Sequence, residues 1–157
     1  MTFSPNHVAN TILKKAFDEG VEVSPMKLQK ILYFVASEYA KEKNKPLLAE
    51  PFQPWRYGPV VRSVYDEFRP YGGKPIKTYA KDSTGKAYVV ATKKNGALSR
   101  AIDRVWEATK DESAVQLSRI THLRGSGWFP AYQRRDQFMN DEEIQSDVTY
   151  RGPLGLS

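Results

Sequence analysis

Hydrophobic residues recur along the first third of the chain with the spacing of two amphipathic helices. Ser4–Pro5 opens the first pattern, because serine is a good N-cap and proline suits the first helical position, and Gly20 is placed to end it. Ser24–Pro25 repeats this start signal, and the second helix is predicted to run to about Asn44. Its apolar stripe is the strongest in the chain and consists of Leu28, Ile31, Leu32, Val35 and Tyr39. We therefore predict that the second helix lies at the centre of the core.

The middle of the chain predicts the β structure. Residues 50–57 are expected to be extended, and the prolines among them limit any strand to a short one at an edge, because proline cannot donate a ladder hydrogen bond. Gly58–Pro59 is expected to open a third helix. The segments "IKTYA" and "KAYVVA" flank the turn "KDSTG", and this pattern predicts an antiparallel hairpin over residues 76–91, with 52–57 as a pairing edge.

Further helical patterns complete the predicted fold. Apolar spacing over residues 98–106 marks a fourth helix, the capping pattern at Ser113 marks a fifth, and a short helix follows Pro130. These elements predict an α+β fold, namely a mainly helical single domain of about five to six helices with a small antiparallel hairpin or sheet. The domain is placed at residues 1–140, and residues 141–157 are predicted to form a flexible C-terminal tail. Ten residues on the helical faces are predicted to be buried: Leu28, Ile31, Leu32, Val35, Val61, Val64, Phe68, Ile102, Val105 and Trp106.

Composition narrows the class of protein. A chain of 157 residues with 40% hydrophobic and 27% charged residues is typical of one globular domain. It contains no cysteine, which excludes disulfides, thiolate catalysis and cysteine metal sites, and which suits a reducing compartment. The sequence also lacks an 18-residue apolar run and a signal-like N-terminus. We expect a cytoplasmic protein that does not bind a membrane.

Charge leaves two kinds of partner open. The net charge is +6, and residues 1–125 hold 21 Lys and Arg against 13 Asp and Glu, whereas residues 126–157 hold 3 against 5. A basic body could attract nucleic acid or an acidic protein. The basic residues are interpreted as spread evenly, without an arginine-rich run or interleaved aromatic residues. A solvated surface is therefore the simpler interpretation, and nucleic-acid binding is the less favoured function.

Candidate chemistry is sparse. The two histidines, His7 and His122, lie far apart in sequence, and His122 is placed near the end of a predicted helix, where a capping role is simpler than a catalytic one. The text "DSTGKA" lacks the glycine and hydroxyl positions of a phosphate-binding loop. No serine sits in a glycine-flanked nucleophile elbow. We predict a protein that is not an enzyme and that uses no metal or cofactor.

Aromatic residues concentrate in "FQPWRYGPVVRSVYDEF", residues 52–68. Trp55 and Tyr57 would share one face of an extended chain, with Arg56 on the other. Trp, Tyr and Arg are enriched among the residues that dominate binding interfaces, but buried aromatic side chains also anchor cores. Both interpretations stay open: a core wedge against the second helix, with Arg56 and Arg62 outward, or a surface that grips a partner.

Three blocks of the sequence occur in the order and spacing of a known family. They are "MKLQKILYFV" (26–35), "PLLAEPFQPWRYGPVVRSVYDEF" (46–68) and "LSRITHLRGSGWFPAY" (117–132). Across residues 5–135 the chain resembles Panacea-domain proteins, which include SocA-like antitoxins and proteins named phage-associated. The segment "WRYGPV" is the most specific part of this resemblance.

The resemblance implies an antitoxin that neutralises a cognate toxin, encoded beside it, by direct protein–protein contact. One branch, the SocA type, instead delivers its toxin to a bacterial protease as an adaptor, and this alternative stays open. A basic nucleic-acid-binding module is the remaining alternative. The residues expected to bind the partner are Trp55, Arg56, Tyr57, Gly58, Pro59, Arg62, Tyr65, His122 and Trp128. Whether the loop at 122–129 belongs to the interface or to the core is left open.

Overall fold

The computed structural model describes residues 2–156. Within these residues it has seven α-helices and one antiparallel sheet of two strands. The elements are α1 (Pro5–Glu19), α2 (Pro25–Lys43), β1 (Gln53–Trp55), β2 (Gly58–Val60), α3 (Arg62–Phe68), α4 (Gly96–Thr109), α5 (Ala114–Thr121), α6 (Trp128–Gln133) and α7 (Asp141–Ser146). The predicted α+β class, mainly helical with a small antiparallel sheet, is confirmed.

Helix α2 is the central element of the fold. Every residue from Lys27 to Ala40 is buried, because α1, α3, α4, α5 and α7 all pack around it. Its start follows the predicted signal, since the Ser24 hydroxyl accepts a hydrogen bond from the Lys27 N–H at 3.3 Å. Its end is the left-handed Asn44, with φ 54°. All ten residues predicted to be buried are at most 2% exposed, which confirms the predicted core.

The predicted hairpin over residues 76–91 is wrong. None of these described residues lies in a strand, although the turn itself forms, with the Asp82 N–H donating to Lys86 O at 2.8 Å. The amide of Asn10 on α1 lies between the two arms: its Nδ2 donates to Ala80 O and to Tyr88 O, both at 3.0 Å. Its Oδ1 accepts from the Ala80 N–H at 2.8 Å. The arms therefore hydrogen-bond to a helix side chain where a hairpin would pair them with each other.

The hairpin forms instead in the segment that was expected to be an edge strand and the start of a helix. Strands β1 and β2 pair antiparallel, with Gln53 opposite Val60 and Trp55 opposite Gly58. The predicted helix start at Gly58–Pro59 is corrected, because these residues belong to β2 and α3 begins only after Val61. The sheet is short because a proline in each strand lacks an N–H for the ladder.

Residues 141–156 pack on the rest of the domain and do not form the expected flexible tail. Helix α7 lies against α2 and buries Ile144 to 6% exposure. Beyond it, Asp147 is 3% and Tyr150 only 1% exposed. The sequence did not predict this packing, because the segment is rich in polar residues and glycine and its buried residues do not follow a helical or strand period.

Replacement of Asn10 by alanine should destabilise the domain by about 2 kcal/mol. The change leaves the buried backbone of Ala80 without partners, and each unsatisfied buried group costs about 1–3 kcal/mol. The measurement is urea unfolding of the variant against Asn95→Ala, since Asn95 makes one solvent-exposed bond to Ala91 O. Equal midpoints for the two variants would show that α1 does not hold the 76–91 segment.

Among the described residues, no helix is both long and apolar enough to span a bilayer.

Candidate functional site

The turn between β1 and β2 is formed by Arg56 and Tyr57, so both side chains are exposed at the tip of the hairpin. Gly58 follows the turn with φ +121°, a conformation that L side chains rarely adopt. A Cβ at this position would lie 2.8 Å from Thr121 Oγ1 and 2.9 Å from Lys30 Nζ. Gly58 thus lets the hairpin backbone rest directly on α2 and α5.

Side chains from α5 and its C-terminal end, and from α6, hold the backbone of the hairpin tip. They reach the three successive carbonyl oxygens of residues 55–57. The Trp128 indole donates to the first at 2.7 Å, His122 Nε2 lies 2.8 Å from the second, and the Ser118 hydroxyl donates to the third at 2.9 Å. The segments "WRYGPV" and "LSRITHLRGSGWFP", which lie far apart in sequence, are therefore one structural unit.

His122 caps the end of α5 and supports the hairpin. Its Nδ1 contacts Ser118 O and its Nε2 contacts Arg56 O, and both partners are carbonyl oxygens that only accept. Its ring centroid lies 4.1 Å from that of Trp128, which is 4% exposed. The capping role expected from the sequence fits this position.

A second clamp joins the hairpin to α2. The side-chain amide of Gln29 accepts a hydrogen bond from the Val61 N–H at 3.0 Å and donates to Val61 O at 3.1 Å. Gln29 is 4% exposed, so its amide provides the partners that this buried backbone requires. The clamp fixes the junction between β2 and α3.

The outward face of the hairpin combines aromatic rings with guanidinium groups. The rings of Trp55 and Tyr65 meet edge-on with centroids 4.7 Å apart. The Arg62 guanidinium lies 5.9 Å from the Trp55 ring, and the Arg56 guanidinium lies 5.7 Å from the ring of Tyr57, which is 58% exposed. Trp55 is partly buried and Tyr57 is exposed, so the two residues do not form a buried wedge against α2, and the Trp55 ring packs on Tyr65 of α3.

A largely apolar cavity of about 350 Å³ opens beside this face. It lies between the N-terminal part of α2, the hairpin and α3. The residues that line it are Pro25, Met26, Gln29, Lys30, Trp55, Tyr57, Val60, Tyr65, Arg69 and Gly72. Three of these, Trp55, Tyr57 and Tyr65, are residues that the sequence singled out for partner binding.

Lys30, which lines the cavity, is a candidate functional residue that the sequence interpretation missed. Its position lies off the predicted apolar stripe of the second helix, where a lysine is ordinarily solvated, yet it is only 1% exposed. Burial lowers the pKa of Lys30 to about 8. The signal that could have revealed it is the dense packing expected around a central helix, which leaves no face free for water.

The structure brings the nine expected partner-binding residues into one region. Arg56, Tyr57 and Arg62 are exposed, and Trp55, Tyr65 and His122 are partly buried. Gly58, Pro59 and Trp128 are buried. Within residues 2–156, no group of three or more His, Asp or Glu side chains is arranged to hold a metal ion.

Comparisons with known proteins identify the family. The family model described as "Antitoxin SocA-like, Panacea domain" matches residues 28–129, which include most of α2, the hairpin and the residues that hold its tip. The curated protein "Antitoxin SocA" of Caulobacter vibrioides (strain NA1000 / CB15N) is 33% identical over 124 residues, which are 77% of this chain and 66%, just under two thirds, of that protein. No solved structure matches. The family model runs from α2 through the hairpin and α5 to the start of α6, and the chain belongs to the SocA-like antitoxin family that carries the Panacea domain.

Proposed function

We propose that this chain is an antitoxin that neutralises a cognate toxin by binding it directly. Family membership supports the antitoxin role, and the exposed hairpin supports the direct contact. The binding surface is the hairpin face, which we define as the outward sides of Trp55, Arg56, Tyr57, Arg62 and Tyr65. Binding alone suffices for neutralisation, so no catalytic step is required of the chain, and we expect it to act in the cytoplasm.

One observation carries this proposal: the tip of the hairpin is exposed while its backbone is immobilised. Side chains of α5, of its C-terminal cap and of α6 are hydrogen-bonded to the three carbonyl oxygens of residues 55–57. Loops that a rigid scaffold holds are favoured binding sites, and a surface ordered in advance loses little entropy when it binds. Tyr57 and Arg56 are thus large interface-type side chains on a fixed support.

The nine expected site residues divide into two roles. The five residues of the hairpin face contact the partner. Gly58 and Pro59 are buried in β2 and shape the hairpin, and His122 and Trp128 hold its carbonyl oxygens. The loop at 122–129 contributes to the interface chiefly through the support it gives the hairpin.

The charge of the surface indicates an acidic partner. Residues 69–95 contain seven Lys and Arg but a single acidic residue, Asp82, so this one segment carries a charge equal to the +6 of the whole chain. All seven basic residues are exposed. The sequence interpretation of evenly spread charge is therefore corrected. A concentrated positive field speeds the approach of an oppositely charged partner.

Loss of both hairpin arginines should weaken toxin binding. Arg56→Ala with Arg62→Ala removes two exposed guanidinium groups, and we expect a loss of about 1 kcal/mol or more if they lie at the centre of the interface. The measurement is the affinity for the toxin encoded beside this chain, together with growth rescue in cells that express that toxin. The melting temperature of the variant is checked first and should be unchanged.

The matched control is Lys43→Ala with Lys45→Ala, which removes the same charge at, and just beyond, the C-terminal end of α2. If both double variants bind equally well, the hairpin face is not the interface. Toxin levels in the rescued cells separate the two modes of neutralisation, because direct inhibition leaves the toxin intact whereas delivery to a protease depletes it.

A further inference from the structure

Lys30 is in an unusual position for a buried charge. Its ammonium lies against the backbone of Gly58 and lines the cavity beside the hairpin face. Among the residues that the structure describes, none forms a salt bridge or a side-chain hydrogen bond with this ammonium, and burial is the sole cause of its lowered pKa. A buried charge without a partner is costly and rare.

Two other lysines of α2, Lys27 and Lys41, are buried or partly buried, and each has hydrogen-bond acceptors within the chain. Lys27 Nζ donates to Lys110 O at 2.6 Å. Lys41 Nζ donates to Ser37 Oγ at 2.7 Å, to the Asp147 carbonyl and to the Tyr150 hydroxyl. Lys30 is the most deeply buried of the three, yet no acceptor among residues 2–156 is hydrogen-bonded to its ammonium, which faces the cavity.

We propose that the cavity over Lys30 takes the side-chain carboxylate of a glutamate or aspartate of the partner toxin, with an adjacent apolar residue of the toxin filling the aromatic-lined space. This inference rests on the proposed function and specifies its chemistry. The ammonium supplies the charge-assisted hydrogen bond, and Trp55, Tyr57 and Tyr65 supply the apolar contact. Arg69, which also lines the cavity, adds to the positive charge that an acidic residue would meet there.

A side-chain carboxylate fits better than the other anions. A chain terminus or a phosphate is usually received by several backbone N–H groups in a nest, whereas Lys30 offers one ammonium. A nucleobase would stack on the aromatic rings, but the Gln29 amide, which is suited to reading a base edge, is bound at both ends to Val61. The cavity of about 350 Å³ accommodates one or two side chains.

Replacement of Lys30 by methionine separates binding from folding. Methionine is of similar length and needs no acceptor, so Lys30→Met should melt at a higher temperature than the parent chain. A lower melting temperature would assign Lys30 a structural role and overturn the proposal. The control is Lys43→Met, which removes the same charge from the exposed end of the same helix.

The first arm of the test uses small probes and does not require the toxin. The Trp55 indole resonance is followed by NMR while 3-phenylpropanoate or its neutral amide is added. The parent and Lys43→Met should bind the carboxylate about tenfold or more tightly than the amide, and Lys30→Met should show no preference. Equal binding of both probes to the parent would overturn the proposal. So would tighter binding of inorganic phosphate or of an oligothymidylate at the same resonance, which would assign the cavity to nucleic acid.

The preference for the carboxylate should depend on pH in a defined direction. Only the protonated amine pairs with a carboxylate, so the preference is complete near pH 7 and falls as the pH rises through about 8. The other titratable or charged groups that line the cavity are Tyr57 from the hairpin, Tyr65 from α3 and Arg69 after α3. These are unchanged in Lys30→Met, so a decline that persists in that variant would contradict the assignment to Lys30.

The second arm uses the toxin encoded beside this chain. Lys30→Met should lose affinity for the toxin about tenfold or more, and exchange of one toxin Glu or Asp for Gln or Asn should cause the same loss without adding to it. If the parent binds the toxin and Lys30→Met binds it equally well, this inference falls and the proposed function stands. If the parent does not bind the toxin at all, the proposed function falls, and the small-probe arm still decides the chemistry of the cavity.

Discussion

Removal of residues 141–157 should abolish cooperative folding of the domain. The truncation takes away Ile144 and Tyr150, which are 6% and 1% exposed, and the loss of each large buried side chain costs about 2–5 kcal/mol. The total is comparable with the entire stability of a typical domain, which is about 5–15 kcal/mol. We expect the truncated chain to lose the near-ultraviolet circular dichroism of its packed aromatic rings.

The polar network around Asp147 adds to this loss. The Asp147 carboxylate accepts hydrogen bonds from the Tyr33 hydroxyl at 2.6 Å and from the Gly127 N–H at 3.0 Å. Burial, and then the Asp147 charge, raise the pKa of Tyr33 well above its ordinary value, so this hydroxyl stays protonated and donates. Without Asp147, both donors are left unsatisfied in the core.

The removal of residues 141–157 also takes away two partners of Glu38 on α2. Its carboxylate is 3% exposed and is paired with Arg104 at 3.1 Å and Arg151 at 3.4 Å. The Tyr150 hydroxyl also donates to it, and burial raises the pKa of that tyrosine. The truncation leaves Arg104 as the remaining partner of a buried charge, which is strongly destabilising.

A shorter truncation is the control. Removal of residues 153–157 takes away Leu154 and Leu156 but keeps Asp147 and Tyr150, so the chain should still unfold cooperatively in urea at a somewhat lower midpoint. A sharp transition of the longer truncation near the parent midpoint would show that α7 and the Asp147 network are dispensable.

Local signals account for what the sequence predicted correctly. The start of α2 at Ser24 and the end of α1 at Gly20 depend on residues within one helical turn, and both are where the pattern placed them. The buried faces of the helices follow from the same periodicity. The resemblance located the hairpin segment and its support, although it did not reveal that one holds the other.

Contacts between distant segments account for what the sequence predicted wrongly. Residues 76–91 have the pattern of a hairpin, but their backbone is hydrogen-bonded to the side chain of Asn10, which lies 70 residues before Ala80 in the sequence. Lys30 has the pattern of a solvated helix position, but five helices surround α2. The burial of Tyr150 likewise depends on Glu38 and Lys41, which no local period relates to it.

Replacement of Gly58 by alanine should destabilise the domain by about 2–5 kcal/mol, because two costs combine. A side chain at φ +121° is strained by about 1–3 kcal/mol. The new Cβ would also lie 2.8 Å from Thr121 Oγ1 and 2.9 Å from Lys30 Nζ, and such overpacking costs about 1–3 kcal/mol. The Lys30 ammonium can shift into the cavity, but Thr121 is short and buried, so relief of that contact requires the hairpin backbone to move away from α5.

Two other glycines separate these costs. Gly85 has φ +83° but open space around its Cβ position, so Gly85→Ala should show the strain alone. Gly73 has neither a positive φ nor a close neighbour, so Gly73→Ala should leave the unfolding midpoint nearly unchanged. The urea midpoint should therefore be highest for Gly73→Ala, lower for Gly85→Ala and lowest for Gly58→Ala. A Gly58→Ala midpoint equal to that of Gly85→Ala would mean that the hairpin does not rest on Lys30 and Thr121, and the cavity beside it would then be shaped differently.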